Sequence, residues 1–229
     1  MQIDVFTLFP PWFDWFRGQR HVVNAFAHGH RLDCVDYRAS TPLKAGQVDD
    51  TPFGGGAGMV LRVDVVEAAL RARYDEDPVG LRQRRRVIAL SPEGRLLDDE
   101  LVEELAAEPA LTLLCGRYEG FDERITENFC TEKLSIGRYV VAGGELPAMV
   151  VCDAVLRRLP GALGHEASAV EESFSRALDG EPEYPHYTRP AVWRGWRVPD
   201  VLLSGHHERI RQWRAAESRR RGTGAPGPA

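Results

Sequence analysis

Three glycine-rich stretches hold the residues of this chain best suited to chemistry: DDTPFGGGAGM at 49–59, LLCGRYEG at 113–120 and SIGRYVVAGGELP at 135–147. Glycine admits positive φ and lets a ligand approach the backbone closely, so each stretch could offer main-chain donors and acceptors to a small molecule. A single such stretch reads as an ordinary turn. Three of them, each beside a segment of strand character, point to one binding site at the carboxyl ends of parallel strands. The familiar nucleotide fingerprints fail. Counted from Gly54, GxGxxG meets Met59 where its third glycine should stand, and counted from Gly56 it meets Leu61; GxxxxGK[ST] occurs nowhere. HExxH, GxSxG and clustered His/Cys ligands are missing too, so zinc and serine hydrolases lack support and no metal site is compelled.

Such loops need strands to carry them, and the pattern supplies these. IDVFTLF (3–9), RLDCVDYR (31–38), RVIALS (86–91) and ALTLLC (110–115) read as strands. Helical periodicity fills the intervals at about 12–26, 64–74, 98–107 and 146–158. Asp64 followed by Glu67 resembles a capping box, and Val66, Ala69 and Leu70 share one helix face, as do Leu101 and Leu105. The alternation predicts an α/β layer domain with a mainly parallel sheet over residues 1–160. From 161 to 186 periodicity weakens and Gly, Pro, Ser and acids accumulate, as in a flexible linker. A small helical domain is expected at 187–221, with a last helix capped by Ser204 and carrying Ile210 and Trp213, followed by a disordered tail at 222–229.

Charge is unevenly spread. The net charge of −5 argues against a nucleic-acid partner, yet between 189 and 221 nine arginines face three acids. Trp193, Trp196 and Trp213 stand among these arginines and suit base stacking, although each could equally form the core of a tiny domain. The run Arg82, Arg84, Arg85 and Arg86 reads as a solvated loop, and His206 and His207 as exposed polar residues. Cys34, Cys115, Cys130 and Cys152 form no CxxC pair and are expected to be small buried hydrophobes. The longest apolar stretch, 139–156, is broken by Glu145, Asp153, two glycines and Pro147, so no membrane span is expected. The opening MQIDVFTLFPPWF lacks an export signal, which predicts a cytoplasmic protein.

The motifs VDD-TPFGGGAGM, LSPEGR (90–95), LCGRYEGFDER (114–124), SIGRYVVAGGELPAM (135–149), DAVLRRLPGALG (153–164), HYTRP (186–190) and VPDVLLSGHHERIRQWR (198–214) resemble, in order, the bacterial TrmD family. Its members are tRNA (guanine-N1)-methyltransferases of the SPOUT superfamily. The resemblance spans nearly the whole chain. It implies a SPOUT α/β fold with a deep carboxyl-terminal trefoil knot, a small α-helical carboxyl-terminal domain, a homodimer, and S-adenosylmethionine held in the knot loops. The implied cofactor contacts are Leu90, Ser91 and Pro92 in the first loop, then Gly116, Tyr118 and Glu119 in the second. The third supplies Ser135, Ile136, Gly137, Tyr139 and Val141, with Gly143, Gly144 and Pro147 at its end. Mg2+ dependence is known in the family, and Glu119 is the candidate contact.

Methylation at guanine N1, here of the guanosine 3′ of the anticodon, requires loss of the N1 proton, because neutral N1–H has no free lone pair in the ring plane. A carboxylate at N1 would serve as general base, and an arginine near O6 would stabilise the charge that develops. The matching positions are Glu172 and Arg157, with Asp49 a further acid at the substrate end. The chain departs from the family pattern in several places. Glu172 stands for Asp, Arg138 for the Asp of SIGDY, Thr51 for Arg, Phe53 for Tyr and Ala45-Gly46 for His-Arg, and the closing RT..RRP segment is missing. Two alternatives therefore stay open: a paralogue methylating another acceptor, small or tRNA-linked, and an RNA-binding protein without turnover.

Overall fold

The computed structural model describes residues 1–163 and 172–223. The chain divides into two compact units, Met1–Gly164 and His165–Ala229, taken here one at a time. The linker residues 164–171 and the tail residues 224–229 lie outside the described residues.

The first unit is built on five parallel strands in the order β2-β1-β6-β5-β7. These are β1 (Gln2–Thr7), β2 (Arg31–Asp36), β5 (Arg86–Leu96), β6 (Ala110–Cys115) and β7 (Glu132–Ser135). Two short strands, β3 (Asp49–Asp50) and β4 (Val60–Leu61), pair antiparallel apart from the sheet. Alternation within the strands sorts side chains to two cores. Ile3, Val5, Ile88, Leu90, Leu111 and Leu113 pack on one face with helices α5 (Asp99–Ala106) and α7 (Glu145–Leu156). Phe6, Val87, Ala89 and Leu114 pack on the other with α3 (Val63–Tyr74) and α6 (Glu123–Asn128). Sheets buried on both faces by helices are the rule for parallel strands, so the expected α/β layering holds.

Local details differ from the sequence reading. The helix expected over 12–26 is broken at Gly18 and Gln19 into a turn at Pro10–Phe13, α1 (Asp14–Arg17) and α2 (Arg20–Ala27). Asp64 lies inside the first turn of α3, with Arg62 at the N-cap and bonded to its carboxylate at 3.0 and 2.8 Å; the ion pair replaces the capping box. The basic run is not merely a solvated loop. Arg85 reaches the buried Asp4 at 2.6 Å, where Arg73 also bonds at 2.6 Å and Tyr74 at 2.7 Å, and Arg86 pairs with Glu132 at 2.6 Å. A buried carboxylate keeps its charge only with such partners. Cys115, Cys130 and Cys152 are buried, all four thiols are free, and burial pushes Cys34 up to about 11 and Cys130 up to about 12.

In the second unit a two-residue turn at Arg194 and Gly195, both with positive φ, joins β8 (Val192–Trp193) to β9 (Trp196–Arg197). Two helices follow, α8 (Asp200–Leu203), as short as α4 (Pro78–Leu81) of the first unit, and α9 (His207–Gly222). Ser204 does not cap α9. It closes α8, its hydroxyl donating to the Val201 carbonyl at 2.7 Å, and His206 holds the N-cap of α9. Residues 182–184 lie along α9: Ser218 donates to the Pro182 carbonyl at 2.8 Å and Arg214 stacks on Tyr184. Trp193 and Trp196 are 59% and 70% exposed, so they are not the core of this unit.

Candidate functional site

The carboxyl ends of β5, β6 and β7 open into a cavity of about 380 Å³ in the first unit. Strand β5 supplies Leu90 and then a bulge at Ser91, Pro92 and Glu93, where its register on β7 shifts between Leu90 and Arg95. Beyond β6 come Gly116, Tyr118 and Glu119. Tyr118 has φ 61°, a left-handed conformation, in a turn closed by Gly120 N–H donating to the Arg117 carbonyl at 3.0 Å. Ser135 comes from the end of β7, the segment after it contributes Ile136, Gly137, Tyr139, Val141, Gly143 and Gly144, and Pro147 comes from the first turn of α7. All the residues expected to contact a cofactor thus line one cavity. Sequence reasoning omitted Glu93, Gly120, Phe121, Glu123, Thr126, Leu134, Val140 and Ala142, which line it as well.

Hydrogen bonds fix these walls to one another. Gly144 N–H donates to the Gly116 carbonyl at 2.8 Å, joining the second and third loops. Ser135 Oγ donates to the Gly137 carbonyl at 2.9 Å, and Tyr139 Oη donates to the Ile136 carbonyl at 3.3 Å. The glycine loop at 54–58 is anchored beside the cavity by Glu119 N–H on the Met59 carbonyl and Leu61 N–H on the Gly120 carbonyl, both 3.0 Å. A Cβ on Gly144 would lie 2.6 Å from Cys115 Cα, so only glycine permits that crossing.

The cavity's charge is one-sided. Glu93, Glu119 and Glu123 line it and, among the described residues, no Lys, Arg or His does. Lys133 bonds Glu93 and Glu123 at 2.7 Å each, and this bond holds the Glu123 carboxyl below the usual range. Glu119 is exposed and its carboxylate has no partner among the described residues. Arg138, the charge reversal in the third loop, is exposed and not among the lining residues.

The three residues expected to act on the acceptor are not gathered in this cavity. Asp49 sits in β3, opposite Leu61. Arg157 forms the C-cap of α7 and lines a second, shallower cavity of about 400 Å³ with Trp15, Met149, Val150, Asp153 and Arg158. Glu172 belongs to the second unit, its carbonyl accepting from Ser175 N–H at 3.0 Å. Sequence reasoning also missed a pair behind the cavity wall: Arg117 and Glu145, within the second and third motifs, lie 2.9 Å apart. The available signal was a carboxylate opening a helix, ELPAMVVCDAVL, whose one other charged residue is Asp153.

The first unit is thus a parallel α/β layer with a glycine-walled cavity edged by carboxylates beyond its strands, the place where such sheets hold small ligands. The chain belongs to the tRNA (Guanine-1)-methyltransferase TrmD family, whose model matches residues 1–225. It is 48% identical over 223 residues to a tRNA (guanine-N(1)-)-methyltransferase of Brevibacillus brevis, covering 96% of this chain and 88% of the relative. A Rhodospirillum rubrum protein of the same name is 48% identical over 215 residues, covering 93% and 86%, and one from Heliobacterium modesticaldum 48% over 226 residues, covering 96% and 81%. Among the described residues no helix is long and apolar enough to cross a membrane.

Proposed function

We propose that this chain methylates N1 of the guanosine 3′ of the anticodon in tRNA, with S-adenosylmethionine as donor. The observation that carries the reading is the cavity lined by two of the glycine-rich stretches, 113–120 and 135–147, together with residues 90–93; the stretch at 49–59 does not line it. Its volume suits a nucleoside-sized molecule, and Glu119, the lining carboxylate that Lys133 does not pair, suits a sulfonium cation. Leu90, Gly116, Ile136 and Gly143 would hold the donor through backbone and apolar contact. When bound, the donor supplies an electrophilic methyl group. Glu119 remains the candidate contact for Mg2+.

Glu172 accepts the N1 proton in this reading, and Arg157 offsets the charge left on O6. Asp49 helps orient the substrate end. The loops at the sheet's carboxyl edge are threaded as a deep trefoil knot. Two close crossings support the knot: Gly94 presses on the backbone of Lys133 and Leu134, and Gly144 on that of Cys115 and Gly116. The active form is a homodimer. Supporting it, Trp15 is 70% exposed and Leu146 and Val150, one turn apart on α7, are 59% and 45% exposed beside the cavity that Arg157 lines. A second copy on that face would bring other groups to Arg157, as a site shared between subunits requires. Residues 161–186 are the tether to a small RNA-binding domain at 187–221, where the exposed Trp193 and Trp196 and the neighbouring Arg189, Arg194 and Arg197 suit bases and phosphates.

Incubation with donor labelled in its methyl group tests the reading. Label entering a tRNA transcript supports it. Label entering only the small-molecule fraction of a cell extract, or donor binding without transfer, overturns it.

A further inference from the structure

Behind the cavity wall lies a buried charge pair that none of the roles above uses. Glu145, the first residue of α7, is 1% exposed. Its Oε1 accepts from Thr7 Oγ1 at 2.9 Å, at the end of β1, and its Oε2 accepts from Arg117 Nε at 2.9 Å. Arg117 Nη1 also donates to the carbonyl of Ala142 at 3.2 Å. The guanidinium lies over the rings of Phe9 and Trp12, at 4.5 and 4.8 Å, and those two rings stack on each other at 4.7 Å. Gly143 passes so near the Arg117 side chain that a Cβ there would collide with it.

The arrangement is a clamp with two arms. One arm reaches Ala142, Gly143 and, through Glu145, the start of α7, all in or next to the cavity wall; the other rests on an aromatic platform. Neither Arg117 nor Glu145, Phe9 or Trp12 lines the cavity itself. Removing either partner of so buried a pair would leave the other without its counter-charge, so the wall and the pair hold each other in place. Trp12 is 49% exposed, which leaves one end of the clamp at the surface.

We propose that Arg117 is a positioning residue for donor binding, holding the 142–144 wall in its binding shape by spanning Glu145 and the Phe9–Trp12 platform, so that a change at the surface residue Trp12 reaches the cavity. The inference rests on the donor-cavity reading above. A purely structural role would make the pair matter for stability and leave donor affinity of the folded protein alone.

Calorimetric titration of the full chain with S-adenosylmethionine, alongside thermal melting, separates these. Arg117→Lys keeps the charge but loses the planar fork and the stacking face, and is expected to weaken donor binding by about tenfold. Trp12→Leu is expected to weaken it by roughly threefold from outside the cavity. Arg117→Gln combined with Glu145→Gln should be no weaker than the worse single variant, as for groups acting as a unit. In turnover, KM for the donor should rise in step with Kd while kcat at saturating donor falls by less than about threefold. Where a Gln variant does not fold, Arg117→Lys and Trp12→Leu decide alone. An Arg117→Lys protein that melts like the parent and binds donor like the parent overturns the inference. A flat titration of the parent chain overturns the cavity reading, and this inference with it.

Discussion

Glu172→Gln replaces the proposed proton acceptor with an amide of the same length and shape. Methyl transfer should fall by about 10²- to 10⁴-fold, the usual share of general-base catalysis. Donor affinity should stay at the parental value, because in this reading Glu172 meets the acceptor and not the donor. Single-turnover transfer and calorimetry on the same preparation check both halves; full turnover in the variant would take Glu172 out of the chemistry. At this scale the sequence was most legible where function resides in backbone. Residues 135–137 and 139–144 line the cavity because a glycine loop's conformation is written in the loop itself. Arg117 and Glu145 were illegible for the opposite reason. Their pairing brings together residues 28 apart, and Thr7 reaches Glu145 from 138 positions away. The places of Asp49, Arg157 and Glu172 are equally a matter of tertiary arrangement, which no local pattern encodes.

Gly144 is the point where two elements meet most closely, the start of α7 against the end of β6. In Gly144→Ala the new Cβ would lie 2.6 Å from Cys115 Cα and 2.8 Å from Gly116 N, both main-chain atoms that cannot swing aside. A loss of about 1–3 kcal/mol in urea unfolding is expected, the usual cost of overpacking. Gly18→Ala, whose Cβ would meet the nearest carbonyl at an ordinary 3.4 Å, serves as the near-neutral comparison. Equal unfolding midpoints for the two would contradict the crossing. Element types were well forecast where the apolar period was long: β6 was placed at Ala110–Cys115 and the α5 face at Leu101 and Leu105. Short pieces escaped. The β8–β9 pair has two residues per strand, too few for a period to show, and only the Arg194–Gly195 turn could have announced it. Gly18 broke a helix whose apolar spacing ran straight through it.

Over the molecule as a whole, ion pairs set the response to acid. Hydrogen bonding to Arg95 is the main force holding Glu104 down to about 2 against an ordinary 4.5, and Asp64, Asp122, Glu123 and Glu217 are lowered by Arg62, Arg124, Lys133 and Arg220. Depressed carboxyls bind fewer protons folded than unfolded, so their stabilisation is fully present above the ordinary carboxylate range and is lost as pH falls from about 4.5 towards about 2. Melting temperatures should be level near neutrality and drop through that window; a flat acid limb would contradict it. The proposed dimer is tested at the same scale. Trp15→Glu puts a charge on the exposed apolar face beside Arg157 and should shift sedimentation from dimer to monomer. A parent chain that sediments as a monomer would refute the shared site.

The nucleoside formed in tRNA tests the account most directly. A transcript bearing guanosine 3′ of the anticodon, incubated with protein and donor, digested and resolved by mass spectrometry, should yield 1-methylguanosine, and a transcript with adenosine at that position should yield no methylated nucleoside. Methylation at any other atom, or equal methylation of both transcripts, would contradict the account.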